Sequence, residues 1–112
     1  MTNLKKITKI LKALSDEGRI RIIALLNKRN NLCVGEITRI IGLSQPTISS
    51  HLKKLQDAEI ITHSKDGLWI NYNLDENVEE QVKKFLSLII QVLDEDESIR
   101  SDVSRSDKID EI

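Results

Sequence analysis

The chain is poor in cysteine, proline, glycine and aromatic residues, and these shortages exclude several classes of protein. Its 112 residues include one cysteine, one proline and four glycines, and the aromatic residues are Trp69, Tyr72 and Phe85. A lone cysteine, Cys33, cannot close an intramolecular disulfide, which favours a reducing compartment. The most apolar run, residues 85–93, is nine residues long, whereas a membrane helix needs about 20. With no signal-peptide pattern either, the sequence predicts a cytoplasmic protein without a membrane partner.

The residue patterns of catalysis and cofactor binding are also missing. Neither His51 nor His63 has a partner that would complete a Ser-His-Asp or Cys-His arrangement, and there is no glycine-rich phosphate loop. Zinc takes about four nitrogen or sulfur ligands, and no such set falls on one face of a predicted element. The carboxylates of residues 94–97 are consecutive, so they do not point at a common centre. We expect no enzymatic activity, no cofactor and no metal site.

Charge is unevenly distributed along the chain. Residues 1–74 hold 12 Lys/Arg and 6 Asp/Glu, a charge of +6, whereas residues 75–112 hold 5 and 12, a charge of −7. The two sum to the formal net charge of −1, and the pI is about 6.1. A near-neutral pI therefore does not exclude an anionic partner for the first two thirds of the chain.

Two amphipathic helices are predicted at the start of the chain. The first has an apolar stripe at helical spacing and lysines on its other faces. The second is capped by Ser15, carries Asp16 and Glu17 in its first turn, where the helix dipole favours anions, and ends near Asn30. The stripe of the first helix consists of Leu4, Ile7, Leu11 and Leu14.

The next two helices have the pattern of a helix-turn-helix. A short helix from about Val34 to Ile41 stops at Gly42, and Ser44 caps a fourth helix that has Pro46 in its first turn. On the fourth helix, Ile48, Leu52 and Leu55 share one face, and the opposite surface offers hydroxyl and ammonium groups. Two short helices joined by a three-residue turn place the second helix in a DNA major groove.

A β-hairpin and a further helix follow. Two runs of β-forming residues, 60–65 and 68–74, flank Asp66-Gly67, a dipeptide typical of a type I′ turn. A hairpin directly after a helix-turn-helix is a wing. Asp75 then opens a last helix with an apolar stripe, which favours a partner surface, most simply its own copy. The stripe consists of Val78, Val82, Phe85, Ile89 and Val92.

The expected fold class is mainly α with a small β-hairpin, in the form of a winged helix-turn-helix. Residues 1–93 form the DNA-binding and dimerisation domain. From Asp94 onward the chain is charged and serine-rich, so residues 94–112 are expected to form a frayed or disordered acidic tail.

Four segments together resemble one known family, the ArsR-type regulators. They are residues 13–22 (ALSDEGRIRI), 32–37 (LCVGEI), 42–55 (GLSQPTISSHLKKL) and 69–74 (WINYNL). The resemblance covers roughly residues 5–93 and includes the recognition helix, the wing and the flanking helices in the family order. It implies a homodimer, paired through the first and last helices, that represses transcription from a palindromic double-stranded DNA operator until an inducer releases it.

The DNA contacts are expected on the fourth helix and on the wing. Short hydroxyl and amide side chains at the helix start can bond to base edges, and lysines would pair with phosphates. In the family, the positions of Gln45, Ser49 and Ser50 approach the bases, and many members have histidine in place of Ser50. His51 borders the core, so we favour a packed, hydrogen-bonded histidine over a DNA contact, whereas His63 is expected to be exposed. The predicted DNA-binding residues are Gln45, Thr47, Ser49, Ser50, Lys53, Lys54 and Lys65.

The sensor is where the chain departs from the family pattern. Arsenical-sensing members carry two cysteines separated by one residue at the start of the third helix, close enough to share one soft ion. Here that stretch is Cys33-Val34-Gly35, and no histidine follows His63. We therefore expect that the usual metal or metalloid site is incomplete, and that the inducer is undefined or DNA binding is constitutive. Cys33 is a candidate thiol switch, and the alternative is a small core residue.

Two other functions remain open at this level. One is a winged-helix module that binds protein, and the other is a thiol-based redox-responsive regulator that uses Cys33. A protein-binding module would expose apolar side chains on the fourth helix and wing, where this sequence is expected to expose serine and lysine.

Overall fold

The computed structural model describes residues 3–109, which form six helices and a three-stranded antiparallel sheet. The aliphatic core lies between the helices and one face of the sheet. The elements in chain order are α1 Leu4–Ala13, α2 Glu17–Lys28, β1 Leu32–Cys33, α3 Val34–Ile41, α4 Gln45–Asp57, β2 Ile61–Asp66, β3 Trp69–Leu74, α5 Glu80–Val92 and α6 Glu97–Lys108.

The helix-turn-helix has the predicted boundaries because each end carries a strong local signal. Gly42 ends α3 in the left-handed conformation, with φ +82°, which glycine adopts without a Cβ clash. Ser44 caps α4, because its Oγ accepts from the Thr47 N–H at 3.3 Å. The cap of α2 differs from the prediction. It is Asp16 rather than Ser15, since Asp16 Oδ1 accepts from the Arg19 N–H at 3.1 Å.

The sheet is larger than the predicted hairpin. The strand order is β1-β3-β2, with Leu32 of β1 opposite Tyr72 of β3. The hairpin turn is also displaced by one residue: Asp66 pairs with Trp69, so the two-residue loop is Gly67-Leu68. Of these two only Gly67 has positive φ, +63°, which fits a type II′ turn instead of the predicted type I′.

The helix expected to open at Asp75 begins five residues later, with α5. Asp75 Oδ1 accepts from the Asn77 N–H at 2.9 Å, and the Asp75 N–H donates to the Ile60 carbonyl at 2.9 Å. The first bond closes a local turn, which competes with helix formation, and the second ties Asp75 to the residue that precedes β2. The helix carries four residues of the predicted apolar stripe, of which Val82 is buried, whereas Val78 lies before the helix.

The prediction of a frayed or disordered tail is wrong for residues 97–108, which form α6. Asp96 caps this helix by accepting from the Ile99 N–H at 3.1 Å, and its inner face packs against α2 and α3. That face is Ile99, Asp102 and Ser106, and a buried face with one apolar residue in three has no helical periodicity to detect. The boundary expected at residue 93 therefore does not separate a folded part from an unfolded one, and residues 1, 2 and 110–112 of the two predicted segments lie outside the described residues.

Within residues 3–109, no helix has both the length and the apolarity needed to cross a membrane.

Candidate nucleic-acid interface

The outer face of α4 is open to solvent. Ile48, Leu52 and Leu55 turn inward and are almost completely buried, as the helical spacing predicts. The side chains predicted to contact DNA are all exposed, on α4 and on the wing: Gln45, Thr47, Ser49, Ser50, Lys53, Lys54 and Lys65. The structure therefore brings the six α4 residues onto one helix and places Lys65 on β2.

Two of these residues already have protein partners. The Ser44 hydroxyl donates to Thr47 Oγ1 at 2.9 Å while its oxygen caps the helix, so Thr47 stabilises the start of α4. The Lys53 ammonium lies 3.8 Å from the Asp57 carboxylate one turn along the helix. Such an exposed pair is weak, about 0.3–0.5 kcal/mol, and leaves Lys53 able to turn towards a phosphate.

The wing tip is more apolar than expected. Leu68 is fully exposed and Trp69 is 66% exposed, next to Lys65 and Asp66. The expectation that wing and recognition helix expose only serine and lysine is therefore wrong at the wing. The reason is the shifted turn, which places Leu68 in the two-residue loop, where no neighbouring strand covers it.

A cleft of about 620 Å³ lies between the wing, α3 and the start of α4. Gln45 of the recognition helix and Trp69 of the wing both line it, together with Arg39 and Cys33. Strand pairing puts Asp66, Trp69 and Asn71 on the same face of the hairpin, and all three border the cleft. Recognition helix and wing thus open onto one shared groove.

Behind α4, a buried polar cluster ties the helix to α2. His51 is 9% exposed, in agreement with the prediction of a packed, hydrogen-bonded histidine. Its Nδ1 lies 3.3 Å from Arg19 Nη1, and its Nε2 lies 3.5 Å from Asp16 Oδ1. Arg19 Nε also donates to the Ala13 carbonyl at 2.6 Å, at the end of α1. One guanidinium therefore joins three helices beneath the recognition surface.

The surroundings of this cluster shift the pKa values of His51 and Asp16. Burial lowers the pKa of His51 below its ordinary value of 6.5, the charges of Arg19 and Lys54 lower it further, and Asp16 opposes the shift. Burial raises the pKa of Asp16, but the hydrogen bond from the Arg19 N–H and the charges of His51 and Arg19 outweigh it, and the net pKa is lowered. Gly18 is required beside this pair, because a Cβ there would lie 2.9 Å from His51 Nε2.

His63 is exposed on β2, as predicted, and its Nδ1 contacts Gln56 Nε2 of α4.

The start of α3 does not fit a thiolate-pair ion site. Cys33 is half-buried at the junction of β1 and α3, and its N–H donates to Glu36 Oε1 at 3.0 Å. A Cβ on Gly35 would lie 3.9 Å from Cys33 Sγ. A cysteine at residue 35 would therefore lie next to Cys33, but glycine has no side chain to supply the second thiol. Among residues 3–109, no three His, Cys, Asp or Glu side chains are grouped so that they could hold a metal ion.

α1 and α5 expose large apolar side chains. Leu4, Leu88 and Val92 are 83%, 60% and 76% exposed. Between the two helices lies an apolar cavity of about 480 Å³, lined by residues that include Ile7, Leu11 and Phe85. An apolar surface of this extent is typical of an interaction face.

Residues 16–63, which span α2 to the start of β2, match the profile of a family described as "Bacterial regulatory protein, arsR family". The arsenical resistance operon repressor of Bacillus subtilis is 38% identical over 84 residues, which cover 75% of this chain and 77% of that protein. The chain belongs to the arsR family. It is thus a DNA-binding transcriptional regulator with a winged helix-turn-helix, as its sequence resemblance implied.

Two further proteins are similar to this chain, one in sequence and one in fold. Arsenic resistance transcriptional regulator ArsR1 of Pseudomonas putida is 36% identical over 81 residues, which cover 72% of this chain and 63% of that protein, less than two thirds of its length. Among solved structures, HlyU from Vibrio cholerae aligns with a TM-score of 0.68 at 28% identity, covering 79% of this chain and 91% of HlyU.

Sequence reasoning missed three features of this arsR-family member: the Arg19 cluster, the apolar wing tip and α6. For the Arg19 cluster, the sequence offers only a weak signal, an arginine beside a glycine at the start of a helix. The apolar wing tip was missed because Leu68 and Trp69 are β-forming residues, so the sequence pattern assigns both to a strand. Asp102 of α6 carried no signal, because a buried carboxylate has the sequence pattern of a surface residue.

Proposed function

We propose that the protein is a homodimeric transcriptional repressor that acts in the cytoplasm, has no enzymatic activity and binds a palindromic operator. The observation that carries the proposal is the shared groove: the start of α4, at Gln45, and the wing, at Trp69, both line it, and the rest of the outer face of α4 is exposed. In a winged helix-turn-helix the recognition helix enters the major groove, and the neighbouring wing then lies against the backbone or the adjacent minor groove.

The side chains of this surface divide into two groups. Gln45, Ser49 and Ser50 are exposed, uncharged and able to donate and accept, which suits contacts with base edges. Lys53, Lys54 and Lys65 are exposed cations that suit phosphates and supply affinity without sequence information. Thr47 belongs with the first group by its hydroxyl, although its partner is the cap Ser44.

Dimerisation is supported by the exposed apolar faces of α1 and α5. No residue of α4 lines the apolar cavity between these helices, so two copies paired through it would leave the exposed outer face of each α4 free. An isologous pair has two-fold symmetry, and its DNA site is correspondingly an inverted repeat with half-sites about one helical turn apart.

The test is selection of bound duplexes from a randomised library by the purified protein. The proposal predicts enrichment of one inverted repeat that binds two chains. Recovery of no common sequence would contradict operator recognition, and enrichment of an unrepeated site that binds one chain would contradict the dimer.

We also propose that thiophilic metalloids do not release this repressor, because Gly35 replaces the second thiol. Arsenite, antimonite and zinc at micromolar concentrations are expected to leave operator affinity unchanged. The matched variant is Gly35→Cys, which adds a thiol beside Cys33 and is expected to make operator binding sensitive to arsenite. Release of the wild-type protein by any of the three would contradict this proposal.

Cys33 as a thiol switch is a second candidate, favoured by its place in the cleft that Gln45 also lines. Alkylation of the one cysteine is then expected to weaken operator binding of the wild type and not of Cys33→Ser. Equal operator affinity of the alkylated and the untreated wild type would contradict the thiol switch and would favour Cys33 as a packing residue.

A further inference from the structure

Asp102 of α6 is a carboxylate in the interior of the molecule, and DNA binding as described above does not use it. It is 1% exposed and accepts three hydrogen bonds from two guanidinium groups. Arg21 of α2 donates from Nε at 2.9 Å and from Nη2 at 2.8 Å, and Arg105 of α6 donates from Nη2 at 2.6 Å. Bidentate pairing of this kind fixes geometry as well as charge.

The same two arginines also bind the end of α3. Arg105 Nε donates to the Ile40 carbonyl at 2.7 Å, and Arg21 Nη2 donates to the Ile41 carbonyl at 2.8 Å. Ile40 and Ile41 are the last two residues of α3, whose carbonyls have no partner within the helix. Asp102 therefore holds two donors in place, and those donors cap the first helix of the helix-turn-helix.

We call Asp102, Arg21 and Arg105 the clamp. The clamp binds the end of α3, which is close to the recognition helix along the chain. Only residues 42–44 separate Ile41 from the first residue of α4. The region that matches the family profile, residues 16–63, includes Arg21 and the end of α3 but neither Asp102 nor Arg105. The clamp thus joins the helix-turn-helix to a helix outside the matched region.

We infer that α6 is a positioning element for DNA recognition, in which Asp102, through Arg21 and Arg105, holds the end of α3 and so orients α4. This inference rests on the proposed function, because its output is operator affinity. Asp102 is a positioning residue, because it is buried and is not part of the exposed face of α4 that is proposed to contact DNA.

A clamp that only stabilised the fold would behave differently. Its loss would lower the melting temperature, but the molecules that stay folded would bind the operator as before. If the clamp orients α4, folded molecules lose specific affinity, while nonspecific affinity falls less because the lysines of α4 remain on the surface.

The experiment compares Asp102→Asn, the milder Arg105→Lys and the control Ser101→Ala at a temperature at which circular dichroism shows all of them folded. Arg105→Lys keeps a cation beside Asp102 but removes the Nε donor to Ile40. It therefore tests the clamp even if Asp102→Asn does not fold. Ser101 accepts only the outward Nη1 of Arg105, at 2.7 Å. We expect at least a tenfold loss of operator affinity in either clamp variant, a smaller loss on random DNA, and no change in Ser101→Ala.

Hydrogen exchange in DNA-free protein provides the second readout. The Gly42 N–H, which bonds to the Thr38 carbonyl at 2.9 Å at the end of α3, is expected to exchange at least tenfold faster in a clamp variant. Unchanged operator affinity in folded clamp variants would overturn the inference. If the wild type binds no operator at all, the proposed function fails, and unchanged exchange at Gly42 would then overturn the clamp as well.

Discussion

At the scale of single residues, the outer face of α4 presents two kinds of side chain, uncharged polar groups and cations. Gln45 and Ser49 are uncharged and exposed, and Lys53 is an exposed cation on the same helix. Because hydrogen bonds to bases and ion pairs to phosphates respond differently to sequence and to salt, each group can be tested by its own measurement.

Removing the uncharged side chains should relax specificity. Replacing Gln45 and Ser49 together by alanine is expected to reduce discrimination by about 1–3 kcal/mol for each base that is no longer recognised, with little change on random DNA. Lys53→Ala should weaken binding on both DNAs and reduce the salt slope by about 1. Fluorescence anisotropy with operator and random duplexes measures both effects. Lys28→Ala, at the exposed end of α2, is the control, and an equal loss of specificity in Lys53→Ala would contradict the division.

Two glycines in helices make a matched pair for the His51 cluster. A Cβ at Gly18 would lie 2.9 Å from His51 Nε2, whereas one at Gly35 meets nothing closer than 3.9 Å. Alanine normally stabilises a helix by about 1 kcal/mol over glycine. We expect Gly35→Ala to raise the free energy of unfolding by up to about that amount and Gly18→Ala to lower it by about 1–3 kcal/mol. Denaturant titration measures the free energy of unfolding of both variants. Stabilisation by both changes would contradict the expectation, because it would show that His51 can move away from the added Cβ at little cost.

The free energy of unfolding should decrease as the pH drops, because the pKa of His51 is lowered in the folded protein. Its pKa in the folded state lies below the ordinary 6.5, so the unfolded chain binds more protons as the pH drops. The contribution is complete above pH 6.5 and is lost as the pH falls below that value; Asp16, whose pKa is also lowered, acts with the same sign at more acidic pH.

The measurement is the free energy of unfolding from pH 7.5 to 5. One histidine contributes at most about 1.4 kcal/mol per pH unit to the slope. The slope should flatten in His51→Gln and persist in His63→Gln, since His63 is exposed. A wild-type slope that survives in His51→Gln would place the responsible group elsewhere.

At the scale of elements, local signals were enough for some segments and failed for others. The boundaries of α3 and α4 followed from Gly42, Ser44 and Pro46, which act within one turn of the chain. Strand β1 has two residues and exists through its pairing with β3, which no local pattern specifies. Helix α6 buries Asp102, which pairs with Arg21 of α2, and a buried face with a charged residue gives no apolar periodicity in the sequence.

The wing offers a built-in reporter. Trp69 is the chain's one tryptophan and is 66% exposed beside the groove. If the wing lies against DNA, operator binding should partly dehydrate the indole, and its emission should shift to shorter wavelength or be quenched. Random duplex at matched occupancy is the comparison, and Trp69→Phe supplies the background. Unchanged emission at saturating operator would show that the wing does not approach the duplex.

At the scale of the whole molecule, the distribution of charge follows function. The first 74 residues, which contain α4 and the wing, carry +6, and the remainder, which contains α5 and α6, carries −7. A dimer paired through the apolar faces of α1 and α5 would bring two basic segments to one duplex. Residues 97–108 of the segment predicted as a tail form a helix packed on α2 and α3. This helix holds three Asp/Glu and three Lys/Arg, so it adds no net charge of its own.

The central claim is sequence-specific recognition by a symmetric dimer. It is tested most directly by comparing the affinity of the wild-type protein for the selected inverted repeat and for a duplex of the same composition with both half-sites shuffled, over a range of salt concentrations. We predict two chains per repeat, affinity that falls with rising salt on both duplexes, and a preference of at least about 10³ for the repeat at physiological salt. Equal affinity for the two duplexes would contradict the claim.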